Sequence, residues 1–382
     1  IANGATLTVI ASQINGNTAG EVGGLTGGGI GNAGTVLLVE STVSGNSAQG
    51  TGGGIGSFTA VTLIDSTVSG NSTAANGGGI GIAGPLVARN STISGNSAGT
   101  DGGGISIIGT SATATLNNVT IADNTAGGDG GGVNVAVGSL SLANTILAAN
   151  TDTGGEAPDC AGTLNSQGYN LIESTTGCSV MGDTTGNIAG EGASLGPLGL
   201  NGGATQTHAL LPGSPAIDAG NPGSGGIACE PVDQRGVNRP QDGDGNGDAR
   251  CDIGAFEVGV FPSTVGKVTG GGSIGGASGG DAGFGFSVKV SNGGAPAGAL
   301  MYVDEGADIE ISNASFHQLT INGTQAEFSG TALVNGASKP FRVTVTDMGE
   351  PGTADTFSLE VVEPGGYANS GTLTGGNIKI HR

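Results

Sequence analysis

The chain has 382 residues, a formal net charge of −21, 82 glycines and no tryptophan. Arg89 is the only basic residue before Arg235. Nucleic acids and anionic membrane surfaces are bound through Lys and Arg, so this composition excludes both as partners. No apolar run approaches the ~18 residues that a membrane span needs. So much glycine without a Gly-X-Y period excludes collagen, and the hydrophobic fraction of 36% is too high for simple disorder.

A repeat of about 25 residues runs through the first half of the chain. Three glycines followed by Ile or Val stand at Gly27–Ile30 and recur at Gly52–Ile55, Gly77–Ile80, Gly102–Ile105 and Gly130–Val133. The motif Ser-Thr-Val-Ser-Gly-Asn-Ser recurs with the same period, at Ser41–Ser47 and Ser66–Ser72 and, with Ile in place of Val, at Ser91–Ser97. Apolar positions alternate within each repeat, which is the pattern of β-strands. We therefore predict a right-handed parallel β-helix with about eight coils up to about Ala219.

One asparagine recurs at the same place in successive repeats. The set is Asn46, Asn71, Asn96 and Asn124, extended by Asn17 and Asn150. In a stack of coils these side chains form a column whose amides hydrogen-bond along the helix axis. We interpret the column as structural, and we interpret the triple glycines as tight turns.

The four cysteines fall in two close pairs in loops rich in Gly and Asp. Four cysteines allow three pairings, and we predict the local one, Cys160–Cys178 and Cys229–Cys251. The spacing lacks the C-x-x-C of redox or zinc cysteines. Disulfides place the chain in an oxidising compartment, so we predict an extracellular or cell-surface protein.

The stretch from about Gly27 to Glu257 resembles the right-handed parallel β-helix repeat proteins of bacterial and archaeal surfaces. The repeat phrase is common among them, and three closing motifs are more specific: Thr207–Gly220 (THALLPGSPAIDAG), Asp233–Gly236 (DQRG) and Cys251–Glu257 (CDIGAFE). Such proteins are long, often adhesin-like, and end in variable anchoring or sorting modules. The resemblance implies a fold and a compartment but no reaction.

The composition changes after the closing motifs. From Gly266 onward the strands are longer, and the turn dipeptides Asn322-Gly323 and Asn335-Gly336 indicate hairpins. We predict a β-helix over 1–220, disulfide-bonded closing loops over 221–257, a linker over 258–265 and an Ig-like antiparallel β-sandwich over 266–382.

A loop with the sequence Asp-Gly-Asp-Gly-Asn-Gly-Asp indicates a cation site. It presents oxygen ligands at alternate positions with glycine at the sixth, as a calcium loop does. The twelfth position is Ile253 instead of the bidentate Glu of an EF-hand, and Asp252 precedes it. We predict structural calcium bound by Asp242, Asp244, Asn246, Asp248 and Asp252, with a solvated acidic turn as the alternative.

The function that composition and motifs favour is structural: a fibre subunit, stalk or adhesin without catalytic residues. One alternative is a polysaccharide lyase or glycosidase, with Asp101 and Asp129 stacked on adjacent coils as candidate carboxylates. Arg89 alone cannot supply both groups that a lyase needs. Another alternative is a surface module that binds glycans or ice. Ice binding would use outward-facing hydroxyls at Thr42 and Ser44 and at the matching positions Thr67, Ser69, Thr92 and Ser94.

The first strand suggests how such a chain assembles. Ile1 follows no methionine or signal sequence, so the chain is expected to be a processed product or a fragment. Ile1, Leu7, Val9 and Ile10 give an apolar strand with no charged residue before Glu21. The unpaired edge of a β-helix is normally covered. We therefore predict head-to-tail self-association, in which the C-terminal domain of the next subunit pairs with this edge.

Overall fold

The computed structural model describes residues 1–20, 26–211, 213–223, 227–244, 248–259, 265–291, 296–361 and 366–381. Two compact units make up the chain. The first comprises Ile1–Leu210, Ser214–Gln241 and Ala249–Gly259, and the second comprises Leu211–Gly213, Asp242–Asp248 and Val260–Arg382. The described residues form strands and turns without a helix, which confirms the all-β class. No described helix is therefore long and apolar enough to cross a membrane.

The first unit is a parallel β-helix of about seven turns. Its early strands are β1 (Ala2–Asn3), β2 (Thr6–Ile10), β3 (Gln13–Asn15), β4 (Thr18–Ala19), β5 (Ile30–Asn32), β6 (Thr35–Val39), β7 (Thr42–Ser44), β8 (Ser47–Ala48), β9 (Ile55–Ser57), β10 (Val61–Ile64), β11 (Thr67–Ser69), β12 (Ser72–Thr73), β13 (Ile80–Ile82), β14 (Leu86–Ser94) and β15 (Ser97–Ala98). The later ones are β16 (Ile105–Ile107), β17 (Thr113–Ala122), β18 (Thr125–Ala126), β19 (Val133–Val135), β20 (Ser139–Ala143), β21 (Ile146–Ala148), β22 (Thr151–Asp152), β23 (Cys160–Gln167), β24 (Leu171–Ile172), β25 (Cys178–Asp183) and β26 (Ile188–Ala189).

The register between coils follows the sequence repeat. Val61 pairs with Val36 of the preceding coil and with Leu86 of the next one. Because every strand keeps this register, equivalent apolar residues stack into columns inside the helix. Burying those columns from water is the main stabilising contribution to the unit. One column consists of Ile30, Ile55, Ile80, Ile105 and Val133, all fully buried.

The parallel stack ends earlier than predicted. Its last strand is Ile188–Ala189, and β27 (Leu195–Gly199) then pairs antiparallel with β28 (Thr207–Leu210). The chain after this hairpin lies along the outside of the coils instead of adding an eighth coil up to Ala219. We call Thr205–Leu210, Ser214–Gln241 and Ala249–Gly259 the closing segment.

Both predicted disulfides are confirmed. Cys160 bonds to Cys178 and Cys229 bonds to Cys251, with sequence separations of 18 and 22 residues. The first joins the start of β23 to the start of β25, and the second lies within the closing segment. Loops of this size stabilise a fold by ~3 kcal/mol each. Disulfides are typical of an oxidising, extracellular environment.

The second unit is antiparallel throughout its described residues. Its strands are β29 (Gly266–Gly275), β30 (Asp281–Val290), β31 (Ala297–Asp304), β32 (Ile309–Asn322), β33 (Gln325–Val334), β34 (Ala337–Thr346), β35 (Thr356–Val361), β36 (Ala368–Thr372) and β37 (Gly375–His381). They form one continuous sheet in which neighbours along the chain pair, and β37 also pairs with β29.

This single sheet curls around one apolar core, whereas the sequence prediction was a sandwich of two sheets. The aromatic residues Phe284, Phe286, Phe328, Phe341 and Phe357 lie inside it. Alternation of buried and more exposed residues runs along strands such as β30. It carries no information on whether strands belong to one sheet or two, because both arrangements bury the same face of each strand. Of the predicted linker 258–265, residues 260–264 lie outside the described part.

Candidate functional site

The inner asparagine column forms as predicted. The Nδ2 group of each asparagine donates to the Oδ1 atom of the next, at 2.9 Å from Asn71 to Asn96 and from Asn96 to Asn124. Each Oδ1 also accepts a backbone N–H from the preceding coil, as Asn96 does from Asn71 at 3.0 Å. The column ends on the buried carboxylate of Asp159, which accepts from Asn150 Nδ2 at 2.8 Å. Asp159 could not be predicted from the spacing, because the last coil breaks the repeat.

The outer face of the coils carries a second column. Asp65, Asn90, Asn118 and Asn144 occupy equivalent turn positions, each with a positive φ between 44° and 51°. Asn tolerates this left-handed backbone better than most residues. These asparagines bind the closing segment: Asn90 Nδ2 donates to the Val232 carbonyl at 2.9 Å, and Asn118 Oδ1 accepts the Glu230 N–H at 2.9 Å.

Gln234 of the Asp-Gln-Arg-Gly motif joins successive coils. Its Nε2 donates to the Thr67 hydroxyl at 2.9 Å, and its Oε1 accepts from the Thr92 hydroxyl at 2.7 Å. One coil farther on, the Thr120 hydroxyl accepts the Ala255 N–H at 3.0 Å. Thr67 and Thr92 are fully buried by these contacts. The prediction of an exposed hydroxyl array is therefore wrong at these positions, because the closing segment covers them.

A buried ion pair lies at the centre of the closing segment. Arg239 Nη1 is 2.9 Å from Glu257 Oε2, and the two side chains are 1% and 0% exposed. Arg239 also donates to the carbonyl oxygens of Asp252 at 2.7 Å and Gly254 at 2.8 Å. The Glu257 carboxylate accepts the backbone N–H groups of Asp252 at 2.8 Å and Gln241 at 2.7 Å.

A second ion pair adjoins the first. Arg235 contacts one carboxylate oxygen of Asp233 through both Nε, at 2.8 Å, and Nη2, at 2.6 Å. That oxygen also accepts the Glu257 N–H at 2.9 Å. The guanidinium of Arg235 lies 3.5 Å from the centroid of the Phe256 ring, a cation–π contact. We call Asp233, Arg235, Arg239, Asp252 and Glu257 the clasp.

Burial dominates the electrostatics of the clasp. It raises the pKa of the Asp252 carboxyl well above its ordinary value, with a further increase from the Glu257 charge. It raises the pKa of Glu257 despite Arg239, and it lowers the pKa of Arg239 despite both carboxylates. The charges of the clasp thus depend on one another, because a charge left without its partners would remain desolvated.

His208 forms a pair with a serine of the β-helix. Its Nδ1 lies 2.8 Å from the Gly196 carbonyl oxygen and its Nε2 lies 2.8 Å from the Ser94 hydroxyl. Since a carbonyl only accepts, Nδ1 carries the hydrogen, and Nε2 faces the Ser94 hydroxyl. A Ser–His pair is the arrangement of a nucleophile and its base. Ser94 is 2% exposed and His208 is 1% exposed, so a polymer substrate cannot reach this pair.

The candidate carboxylates Asp101 and Asp129 do lie on adjacent coils. Asp101 Oδ1 accepts the backbone N–H of Asp129 at 3.0 Å, and the Asn76 side chain accepts that of Asp101 at 3.1 Å. These side chains therefore act as turn caps along the stack. Arg89 lies in a groove beside the closing segment, where its Nε is 3.7 Å from Glu230 Oε1.

The predicted calcium ligands lie in different environments. Asp242 and Asp244 are partly exposed, Asp248 is exposed, and Asn246 lies outside the described residues. Asp252 is fully buried, and its carboxylate accepts the backbone N–H groups of Asp218 at 2.7 Å and Val258 at 2.5 Å. Asp252 thus has a structural role in the clasp, and its part in metal binding stays a prediction.

The predicted assembly edge is divided between the core and the surface. Val9 is buried and Leu7 packs against the core, whereas Ile1 is 55% exposed and Ile10 is 60% exposed. Strand β2 pairs with β6 on one side. Within the described part of the chain, no strand pairs with its other side.

Asp65 is expected to reduce stability at neutral pH. Burial raises its pKa from 3.8 to about 6, opposed by the hydrogen bond from Asn90 and aided by Glu40, Asp233 and Glu230. A raised pKa means that the folded state binds the proton more tightly, so the stability is complete below pH ~4 and is lost as the pH rises through about 6. The shift corresponds to about 3 kcal/mol, which solvent screening reduces to about 1–2 kcal/mol.

The test is Asp65→Asn, which keeps a residue suited to the left-handed turn. Denaturant unfolding of the first unit should show a stability gain of about 1–2 kcal/mol at pH 7.5 and none at pH 4. Glu40→Gln, at the exposed equivalent position one coil earlier, is the matched control and should change stability by less than about 0.5 kcal/mol. An equal gain at both pH values would contradict the electrostatic explanation.

Comparison of the chain with known protein families, curated proteins and solved structures finds no match. The fold and the contacts above are therefore the basis for inferring its function.

Proposed function

We propose that this chain is a structural protein of the cell exterior, a stalk or fibre subunit of the adhesin-like type. The β-helix acts as a rigid spacer and the C-terminal domain acts as the attachment part. The observation that supports this most is the closing segment, which binds coils from Asp65 to Asn144 through side-chain hydrogen bonds. A disulfide and a buried ionic clasp reinforce it. Such an arrangement resists separation of the coils under load.

The chemistry of the grooves and turns supports a structural role over polysaccharide cleavage. A lyase needs one basic group to abstract a proton and another to stabilise the anion. Among the described residues that line the groove beside the closing segment, Arg89 is the only cation, and it faces Glu230. The Asp101 carboxylate is engaged in a backbone contact, and the Ser94–His208 pair is enclosed.

Two measurements on the purified full-length chain test this proposal. Negative-stain images should show rods or fibres, and incubation with a panel of pectate, alginate and other acidic glycans should release no products. Sustained product release that Asp101→Asn or Ser94→Ala abolishes would favour the enzyme instead. Compact particles without an elongated part would also contradict the proposal.

We further propose head-to-tail assembly through the β2 edge. The support is the exposed Ile10 and Ile1 beside a strand that has backbone groups available for pairing. Ile10→Lys should reduce the sedimentation coefficient of the assemblies to that of a monomer. Phe58→Lys is the matched control, because Phe58 is equally exposed, at 54%, but lies away from this edge. Assemblies unaffected by Ile10→Lys would contradict the edge as the contact.

Calcium is proposed as a structural ion of the loop that carries Asp242, Asp244, Asn246 and Asp248. The donors are oxygen atoms only, which is the set that calcium prefers. EDTA should lower the Tm by several degrees, and calcium should restore it, whereas magnesium should restore less. In the double variant Asp242→Asn, Asp244→Asn, EDTA should have no effect. A Tm that EDTA leaves unchanged in the native chain would rule the ion out.

A further inference from the structure

The lysines of this acidic chain are confined to its C-terminal part. Residues 1–259 contain 20 acidic residues, four arginines and no lysine, whereas 260–382 contain 11 acidic residues, four lysines and two arginines. Three of the lysines, Lys267, Lys289 and Lys379, are exposed on the first, second and last strands of the curled sheet. These strands are neighbours, in the order β37, β29, β30.

The strand register brings the basic groups into one row. Lys267 pairs directly with Lys289 on one side and with His381 on the other. Directly paired residues project from the same face, so the three side chains cross the sheet in a row about 10 Å long. They line one shallow depression together with Val265 and Ser291. Lys379 lies two residues farther along β37, where it is 3.4 Å from Glu350.

The row is electrostatically unbalanced. Like charges directly opposite each other destabilise a sheet. Among the described residues, no carboxylate forms an ion pair with Lys267 or Lys289. An anion bound between the two ammonium groups would remove this repulsion, and the depression gives it access.

The adjoining rows of the same face carry small side chains. The pair Thr269 and Ser287 comes next, followed by the pair Gly271 and Gly285. A Cβ atom built on Gly285 would meet nothing within 4 Å. A ligand can therefore lie close to the sheet, with hydroxyls available to it beside the charged row. These three rows extend about 14 Å along the strands, which is longer than a single small anion.

We propose that this face binds an extended anionic polysaccharide, with its carboxylate or sulfate groups at Lys267 and Lys289 and its hydroxyls at Thr269 and Ser287. This inference deepens the proposed function and depends on its extracellular setting, because it gives the attachment domain a class of partner. A single-stranded nucleic acid fits less well, since these rows offer no aromatic side chain for base stacking. A second, net acidic copy of the chain is the outcome that the self-association measurement below distinguishes.

The test uses the full-length chain and immobilised alginate, heparin and neutral dextran as probes. The native protein should bind the two acidic polymers and not dextran, and raising NaCl from 50 mM to 500 mM should release it. The double variant Lys267→Gln, Lys289→Gln should bind at least tenfold more weakly. The matched control is Lys339→Gln, Arg342→Gln, which removes the same charge from β34 and should keep at least half of the native affinity.

Any of the following outcomes would overturn the proposal. Equal losses in both double variants would indicate only a net-charge effect, and equal binding to single-stranded DNA would remove the assignment to a polysaccharide. Loss of self-association in the lysine variant without glycan binding by the native chain would assign the face to a second copy. Far-UV circular dichroism and Tm verify folding. Rods seen by electron microscopy without glycan binding would refute this inference alone and leave the stalk proposal standing.

Discussion

Replacing Arg239 with methionine will lower the free energy of unfolding of the β-helix unit by about 3–5 kcal/mol. The change leaves the buried Glu257 carboxylate without its cation, and it removes the donors to the carbonyls of Asp252 and Gly254. Methionine fills a similar volume, so the effect reports the charge and its hydrogen bonds more than packing. Circular dichroism during urea unfolding gives the free energy, and hydrogen exchange of peptides from 227–241 locates the loss.

The matched control is Arg89→Met, which breaks an ion pair whose arginine is 56% exposed and whose closest atoms are 3.7 Å apart. Exposed pairs of this kind contribute at most about 1 kcal/mol. If Arg239→Met and Arg89→Met lower the free energy of unfolding by the same amount, the clasp does not stabilise the unit more than an exposed ion pair does. The double variant Arg239→Met, Glu257→Leu should recover part of the stability, because it removes both buried charges together.

Replacing Asn96 with leucine will destabilise the β-helix by about 3–5 kcal/mol through the inner asparagine column. The buried Asn71 loses the acceptor for its Nδ2 and for its backbone N–H, while the Val68 carbonyl and Asn124 Oδ1 each lose a donor. Each buried polar group left without a partner costs about 1–3 kcal/mol. Leucine has the same number and branching of heavy side-chain atoms but larger methyl groups, so the loss combines missing hydrogen bonds with overpacking.

Asn17→Leu is the control for the column. Asn17 is exposed at the start of the column, and its Nδ2 donates to Asn46 Oδ1 and to the Asn15 carbonyl, so no buried group loses its acceptor. A change below about 1 kcal/mol is expected there. Urea unfolding gives the free energy of unfolding of Asn96→Leu and of Asn17→Leu. Equal costs at both positions would mean that the column does not transmit hydrogen bonding along the stack.

The repeat predicted the β-helix well because its contacts are regular. Residues 25 positions apart stack, so one column of asparagines and the pairing of Val61 with Val36 and Leu86 could be predicted from spacing alone. The closing segment could not, since its bonds join residues far apart, such as Gln234 and Thr67, separated by 167 positions. Contacts of this kind produce no periodic pattern in the sequence. A usable signal was present in Thr67, Thr92 and Thr120, which recur at one outward position in successive coils.

In the candidate sites, too, features set by local spacing could be predicted, and contacts between distant residues could not. Local spacing predicted both disulfides, because 18 and 22 residues form loops that close readily. It missed Arg239 and Glu257, since neither residue belongs to the repeat and their importance comes from burial. It also missed the basic row, because Lys267 and His381 lie 114 positions apart in the sequence and meet only where the curled sheet pairs its first and last strands.

Single-molecule pulling on the full-length chain tests whether the closing segment holds the coils together as one mechanical unit. We expect the β-helix unit to open in a single event. With both disulfides intact, that event should release a contour length of roughly 800 Å. In Arg239→Met the same unit should open at lower force and in several steps, because coils can then separate individually. If the closing segment of the native chain detaches first, at low force, and the coils remain folded, then the segment does not hold the coils together.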